Sequence, residues 1–316
     1  MSTTQPAPER IGEWLESVLC PVCCAERFEV LQPARYPADA SVAELKEVYR
    51  ASSDRAPLDQ IVRCRSCSMV YLNPRPIPAL VLSGYAEAVD PMFVAQNAAR
   101  IRAFSKTLGS VLRRLKLDGR GRRLLDVGCA GGAFLVAAQR CGFETVGVEP
   151  SHWLASYARD QYRLDVRDGV LEPGLFPPRS FDVVTLWDVV EHLSNPHDTL
   201  ALAASLLKPG GLLLVNYPDI GSLAARMLGH RWPFWLGVHL LYYTRTTIAR
   251  QLERGGFRIV DFRPFFPTLP LGYVAHRAAP YVPGMGAVAK LLERAGLAKV
   301  PLIYNIGQTL AVARLN

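Results

Sequence analysis

No stretch of this 316-residue sequence approaches the ~20 consecutive apolar residues that a membrane span needs, although half of the chain is hydrophobic. The N-terminus lacks the apolar core of an export signal; it is polar and carries Pro6 and Pro8. These two gaps lead us to expect a cytoplasmic chain. Charged residues make up only 20%, so the composition is that of a globular chain large enough for one full core and an appendage. Acidic residues are the scarcer sign, leaving a net charge of +8. Much of that excess is local: between Arg100 and Arg123 stand nine basic residues and one acid, Asp118. Ile101, Phe104, Leu108, Val111, Leu112 and Leu115 recur there at helical spacing, which predicts an amphipathic helix with a basic outer face. A solvated face is the ordinary meaning of such a run, and contact with RNA or an anionic membrane is the alternative.

The chain is organised around residues 122–132. Arg122 to Val127 reads as a buried strand, Gly128 to Gly132 as a small-sided loop, and Phe134, Leu135, Ala137 and Ala138 as the apolar face of a helix. Strand, glycine loop and helix open a doubly wound α/β unit whose ligand rests on the loop and the helix N-terminus. The dinucleotide fingerprint is missing, because its glycine positions hold Gly128, Ala130 and Ala133. The order Leu-Leu-Asp-Val-Gly-Cys-x-Gly-Gly-x-Phe instead resembles motif I of class I S-adenosylmethionine-dependent methyltransferases. That resemblance implies that Asp126 lies near the methionine end of the cofactor and that Glu149, ending a second strand, accepts both ribose hydroxyls. It also implies that Gly128, Ala130 and Gly132 cradle the cofactor. Ala130 departs from the usual central glycine, which suits a negative φ there. Phe181-Asp-Val-Val-Thr-Leu-Trp-Asp-Val-Val-Glu-His-Leu is similar to the family's fourth strand and following loop, placing Trp187 and Asp188 at the crevice. The loop Asp168 to Leu171, with Val170 and Leu171, borders adenine in the family.

Seven cysteines in such a chain are more readily thiols or metal ligands than disulfides. Cys20-Pro-Val-Cys23 and Cys64-Arg-Ser-Cys67 are two knuckles separated by 40 residues. Two such turns complete a closed tetrahedral S₄ site, the geometry of structural zinc. Strand-like residues frame the second knuckle, as in a zinc ribbon, and a helix is expected between Ser41 and Tyr49; Cys24 reads as a bystander. A redox pair is the competing meaning, without the βαβ surroundings it needs. Asn73-Pro-Arg-Pro-Ile-Pro should then stop regular structure. It divides the chain into a zinc-ribbon-like domain, 1–78, and a methyltransferase domain, 79–316. Tyr85, just past that boundary, either lines the active-site mouth or packs at the surface.

The rest reads as a Rossmann-like, seven-stranded, doubly wound sheet with an antiparallel last strand. Ser151 is the expected N-cap of a helix through Tyr162, and Leu164 to Val166 the third strand. Asn195-Pro196 start a helix closing at Lys208-Pro-Gly-Gly. Gly211 to Tyr217, Phe257 to Phe262 and Gln308 to Ala313 are the last three strands, and Thr244 caps the helix between the first two of them. Two insertions, 218–244 and 265–305, interrupt this order. The first is dense in aromatic residues and suggests a concave, mostly apolar lining; the second is proline-rich and then amphipathic from Ala287 to Leu297.

Two of six histidines stand where chemistry is expected. His192 follows the fourth strand. His239-Leu-x-Tyr-x-Thr is similar to a motif of zinc-headed deoxysugar C-methyltransferases in which the histidine is the proposed base. Val238 stands where those enzymes have glutamate, and O- or N-methylation asks less of its base. Alternatively, His239 is a hydrogen-bonded wall of the pocket. Neither an amide-methylating Asn-Pro-Pro-Tyr nor a nucleophilic cysteine follows the fourth strand. The sequence therefore predicts methyl transfer from S-adenosylmethionine to a small-molecule or sugar-bearing acceptor. The alternatives are an RNA methyltransferase that holds phosphates with the head and basic helix, and a non-enzymatic, zinc-mediated interaction protein.

Overall fold

The computed structural model describes residues 11–37, 46–50, 55–279 and 282–316. Five short strands build the N-terminal region: β1 (Leu15–Glu16), β2 (Phe28–Gln32), β3 (Ile61–Cys64), β4 (Val70–Leu72) and β5 (Arg75–Pro76). β2, β3 and β4 form an antiparallel sheet, and the second knuckle turns the chain between β3 and β4 with Cys64 N–H donating to Met69 O. Of the helix expected between Ser41 and Tyr49, residues 41–45 lie outside the described residues and 46–48 are helical. The proline run does not abolish regular structure as expected. β5 pairs with β1 across it, because Arg75 keeps a backbone N–H for the ladder and its guanidinium holds Glu16.

A helix over Pro78–Ala86 leads to the basic helix, Asn97–Leu115, which buries Ile101, Phe104, Leu108, Val111 and Leu112. Arg102, Lys106, Arg113 and Arg114 stay exposed on its outer face, as the spacing predicts. The chain then lays down β6 (Arg123–Val127), β7 (Glu144–Glu149), β8 (Asp165–Asp168), β9 (Phe181–Trp187) and β10 (Leu207–Pro218). It continues with β11 (Leu241–Tyr242), β12 (Phe257–Pro264), β13 (Thr268–Pro270), β14 (Pro301–Ile303) and β15 (Gln308–Leu315).

Seven of these strands form the large sheet, in the order β12-β15-β10-β9-β6-β7-β8, with β15 antiparallel to both its neighbours. β10, β9, β6, β7 and β8 run parallel, so every ligand-facing loop leaves the same edge. All of β9 except Asp182 is buried, as a strand covered on both faces must be. Ser151 Oγ accepts from Leu154 N–H and Thr244 makes a full capping box with Thr247, so both expected caps are in place. Among the described residues no helix is long and apolar enough to cross a membrane.

The two regions share one sheet and one core. β11, which belongs to the first insertion, pairs antiparallel with β4, and Leu72 N–H donates to Leu240 O. Cys20, Cys64, Met69 and Tyr71 pack in the same buried cluster as Val190, Leu240 and Tyr243. The second insertion contributes helices over Leu271–Ala278 and Met285–Arg294, bracketed by the β13–β14 hairpin.

Candidate functional site

The glycine loop leaves β6 at the crest of the sheet. Gly128 takes φ +71°, and a Cβ there would stand 2.6 Å from Val189 Cγ2. Gly132 takes φ +77° as the N-cap of the helix Ala133–Arg140. Ala130 does not have the negative φ that the sequence suggested: it stands at +46°. The left-handed conformation costs an alanine about 1–2 kcal/mol. In that conformation the Ala130 N–H donates to Glu149 Oε2 at 2.7 Å, tying the loop to the end of β7.

Glu149 is buried and its other oxygen accepts from Ser151 N–H at 2.9 Å. Each carboxylate oxygen has two lone-pair sites, so one per oxygen remains for a hydroxyl donor. Burial pushes Glu149 up to about 7, against the downward pull of the Ser151 and Ala130 amides. Asp126, at the end of β6, is also buried and accepts from Thr185 Oγ1 at 2.6 Å. Burial pushes it up to about 8; the Thr185 bond opposes the rise and the charge of Glu149 adds to it. Two buried carboxylates flanking a small-sided loop fit a ligand with a vicinal diol and positive centres, which S-adenosylmethionine is.

Around them, Gly169 N–H donates to Glu149 O, bringing the loop with Val170 and Leu171 beside the diol position. Asp188 takes φ +54° after β9, and its Oδ1 accepts from Asn216 and Gln308. The Trp187 ring sits in an aromatic cluster with Phe104, Phe134 and Phe265, at centroid distances of 4.9, 4.9 and 5.2 Å. Its backbone is therefore the part at the crevice.

Past the end of β9, three distant segments meet. Tyr85 from the entering helix packs edge-on against His192, centroids 5.6 Å apart, and its hydroxyl is buried without a partner. His192 in turn packs against His239 at 4.7 Å. His192 Nδ1 lies 3.0 Å from Val238 O and His239 Nδ1 lies 2.9 Å from Phe234 O. Burial holds His192 down at about 4 and His239 well below the ordinary value, the neighbouring His192 adding to the latter. The Trp235 ring lies tilted on Tyr242, centroids 4.8 Å apart, beside His239, and Trp232 Nε1 of the first insertion donates to Ile306 O. Glu191 stands in the motif quoted from the sequence, but the sequence reading gave it no place among the site residues. It is buried, both its oxygens lack a hydrogen-bond partner among the described residues, and burial together with the charge of Asp188 raises it well above the usual carboxylate range. Its place directly before His192 and three residues after Asp188 was the available signal.

The four knuckle cysteines converge as expected. Cys20 Sγ is 3.5 Å from Cys67 Sγ, Cys23 Sγ is 3.5 Å from Cys64 Sγ, and all four sulfurs lie within 4.8 Å of one another. Sulfurs bound at ~2.3 Å around a tetrahedral ion stand about 3.8 Å apart, so the set fits zinc. Cys24 stays outside it, exposed, with the Arg254 guanidinium 3.5 Å from its sulfur.

Comparison with known proteins follows the same lines. A family described as a methyltransferase domain matches residues 96–261. The ubiquinone biosynthesis O-methyltransferase of Caulobacter sp. (strain K31) is 38% identical over 119 residues, covering 33% of this chain and 46% of its own length. That of Maricaulis maris (strain MCS10) is 32% identical over 170 residues, covering 48% and 67%. The chain thus spans about half to two-thirds of these relatives. Among solved structures, the geranyl diphosphate C-methyltransferase of Streptomyces coelicolor A3(2) superposes over 67% of this chain and 76% of its own, with 16% identity and a TM-score of 0.46.

Proposed function

Because the chain belongs to the methyltransferase-domain family, we propose that it moves the methyl group of S-adenosylmethionine to a small-molecule acceptor. The observation that carries this reading is the link between loop and carboxylate: Ala130 N–H on Glu149 Oε2 aims a buried acid at the diol position beside the glycine loop. The cofactor, once bound, supplies a sulfonium-activated methyl group for in-line displacement. The chain's own part is to align and to exclude water. Gly128, Ala130 and Gly132 cradle the ligand, Glu149 takes the ribose hydroxyls, and Asp126 and Asp188 bracket the methionine end. Val170 and Leu171 border the base, and the Trp187 backbone closes the crevice.

His192 and His239 face the acceptor. Their depressed basicity keeps both rings neutral at pH 7, which suits His239 better to orienting an acceptor than to taking a proton from carbon. The ubiquinone biosynthesis relatives are O-methyltransferases by name, and an oxygen acceptor agrees with neutral rings and with Val238 in place of an acid. Cys20, Cys23, Cys64 and Cys67 hold a structural zinc, whose closed S₄ set leaves no position for substrate. Titration calorimetry with S-adenosylhomocysteine tests the reading: one site per chain is expected in the parent, with affinity lost in Glu149→Ala. A parent that binds no S-adenosylhomocysteine overturns it.

A further inference from the structure

We propose that Glu191, His192 and His239 form a binding site for a divalent first-row metal ion, separate from the cysteine cluster, that presents an acceptor oxygen to the methyl donor. The binding site stands on its own geometry; its role toward the acceptor rests on the methyl-transfer reading above.

The argument begins with the tautomers. A backbone carbonyl can only accept, so the contacts of His192 Nδ1 to Val238 O and His239 Nδ1 to Phe234 O fix the ring proton on Nδ1 in both residues. Each ring therefore points a lone pair outward from Nε2. This is also how metal-binding histidines are held, with the far nitrogen tied to a carbonyl or carboxylate. Glu191 completes the set: its Oε1 is 3.9 Å from His192 Nε2, and among the described residues neither of its oxygens has a well-formed hydrogen bond, its own amide alone standing close. One ligand atom from each of the three residues lies within 4.8 Å of the other two.

A buried cluster of two ring nitrogens and a carboxyl group, with fewer donors than acceptors around it, is an arrangement that proteins avoid unless something positive sits in the middle. The charged residue that acts most on Glu191 is a second carboxylate, Asp188, which deepens the deficit. Tyr85 supplies a hydroxyl beside Glu191, itself unpartnered, and one hydroxyl cannot satisfy four acceptor atoms. Two imidazoles and one carboxylate on one side of an ion leave its other positions open, and this donor set suits first-row divalent ions. Bound donors stand roughly 3 Å apart at metal–ligand distances of about 2.0–2.2 Å, so small side-chain rotations close the set.

An acceptor hydroxyl entering the open positions would lose its proton to solvent. The new O–C bond then forms as the S–C bond of the sulfonium breaks and the neutral thioether leaves.

The test uses the full chain purified without chelator and exposed to excess Mn²⁺, a hard ion that thiolates hold poorly. Elemental analysis after desalting, counted over all metals, is expected to give one more equivalent in the parent than in Glu191→Gln. The Mn²⁺ affinity of that variant should fall more than about tenfold. S-adenosylhomocysteine binding, followed in the same samples, reports folding and the methyl-transfer reading separately from the metal. If Glu191→Gln does not fold, pulsed electron paramagnetic resonance of the Mn²⁺-loaded parent decides, since imidazole nitrogen coupling is expected. Equal metal counts in parent and variant overturn the site, and so does a bound Mn²⁺ without nitrogen coupling.

Discussion

The two walls proposed for the site are built in opposite ways. The cofactor wall is nearly continuous in sequence: Asp126 to Gly132 from one strand end and Glu149 from the next, joined by the Ala130 amide on the Glu149 carboxylate. The acceptor wall is assembled from Tyr85, from Glu191-His192 and from His239, segments more than forty residues apart in the chain. That second wall is also braced from outside. β4 of the cysteine-rich head pairs with β11, two residues past His239, and Leu72 N–H donates to Leu240 O. The head thus acts on the acceptor side by pinning one strand, while the cofactor wall stands on the large sheet and on the basic helix, whose Asn97 side chain donates to Gly131 O. Each perturbation should therefore fall on one wall and spare the other.

Removing the zinc proposed for the head should have the largest effect. Binding of structural zinc contributes about 10–16 kcal/mol in isolated fingers, so its loss should release β3, β4 and β11 together. Hydrogen exchange after chelation is expected to accelerate before Asn73 and across 240–243, and turnover should collapse. S-adenosylhomocysteine should still bind. Cofactor binding lost in step with the head would erase the distinction between the walls.

Two substitutions should then split the walls cleanly. Glu149→Ala removes the acceptor for two hydroxyls and should weaken cofactor binding roughly a hundredfold, about 2.7 kcal/mol. His239→Ala should lower turnover by about a hundredfold while cofactor affinity stays near that of the parent. Calorimetry and steady-state kinetics on the same preparations read both. The reverse pattern, weak cofactor with normal turnover at saturation, would put His239 on the cofactor wall.

pH separates the walls more gently. Glu149 and Asp126 release their protons at about 7 and about 8 in the folded chain, against ordinary values of 4.5 and 3.8. The folded state then binds these two protons more tightly than the unfolded one, so the stability they contribute is full below about pH 4 and is lost as pH rises toward 8. The cofactor-free melting temperature should fall across that window and level off above it. Glu149→Gln should flatten part of the drop; a curve unchanged by it would mean that the burial of Glu149 is not felt.

How much of this was legible in the chain follows the same division. The caps at Ser151 and Thr244 and the meeting of four cysteines were readable because each depends on local pattern or fixed spacing, while the order of the large sheet and its antiparallel β15 followed from the resemblance carried by the glycine loop. β11 was not, since a two-residue strand has no periodicity and exists only because β4 offers it a ladder. Glu191 was readable only as the neighbour of His192, because its proximity to His239, 48 positions away, leaves no local mark. Tyr85 read more readily as a packed surface residue, since the His192 ring against it is a contact between distant segments.

The smallest effect tests the cofactor wall at a single backbone angle. Ala130 at φ +46° lies between Gly128 and Gly132, both also at positive φ. Its methyl group therefore works against the loop that its own N–H holds to Glu149. Replacing it with glycine removes about 1–2 kcal/mol of left-handed strain and adds back roughly 0.5–1 kcal/mol of unfolded-chain entropy. Ala130→Gly should thus stabilise the protein by about 1 kcal/mol, a rise in melting temperature of roughly 2 °C. Cofactor affinity should stay the same or improve slightly, because the loop geometry is already the one required. Ala133, three residues on in the helix Ala133–Arg140, is the internal control. There the same change to glycine should destabilise by about 1 kcal/mol. Thermal melts of both variants decide the matter: if both lose stability alike, Ala130 carries no strain and the loop owes nothing to its left-handed turn.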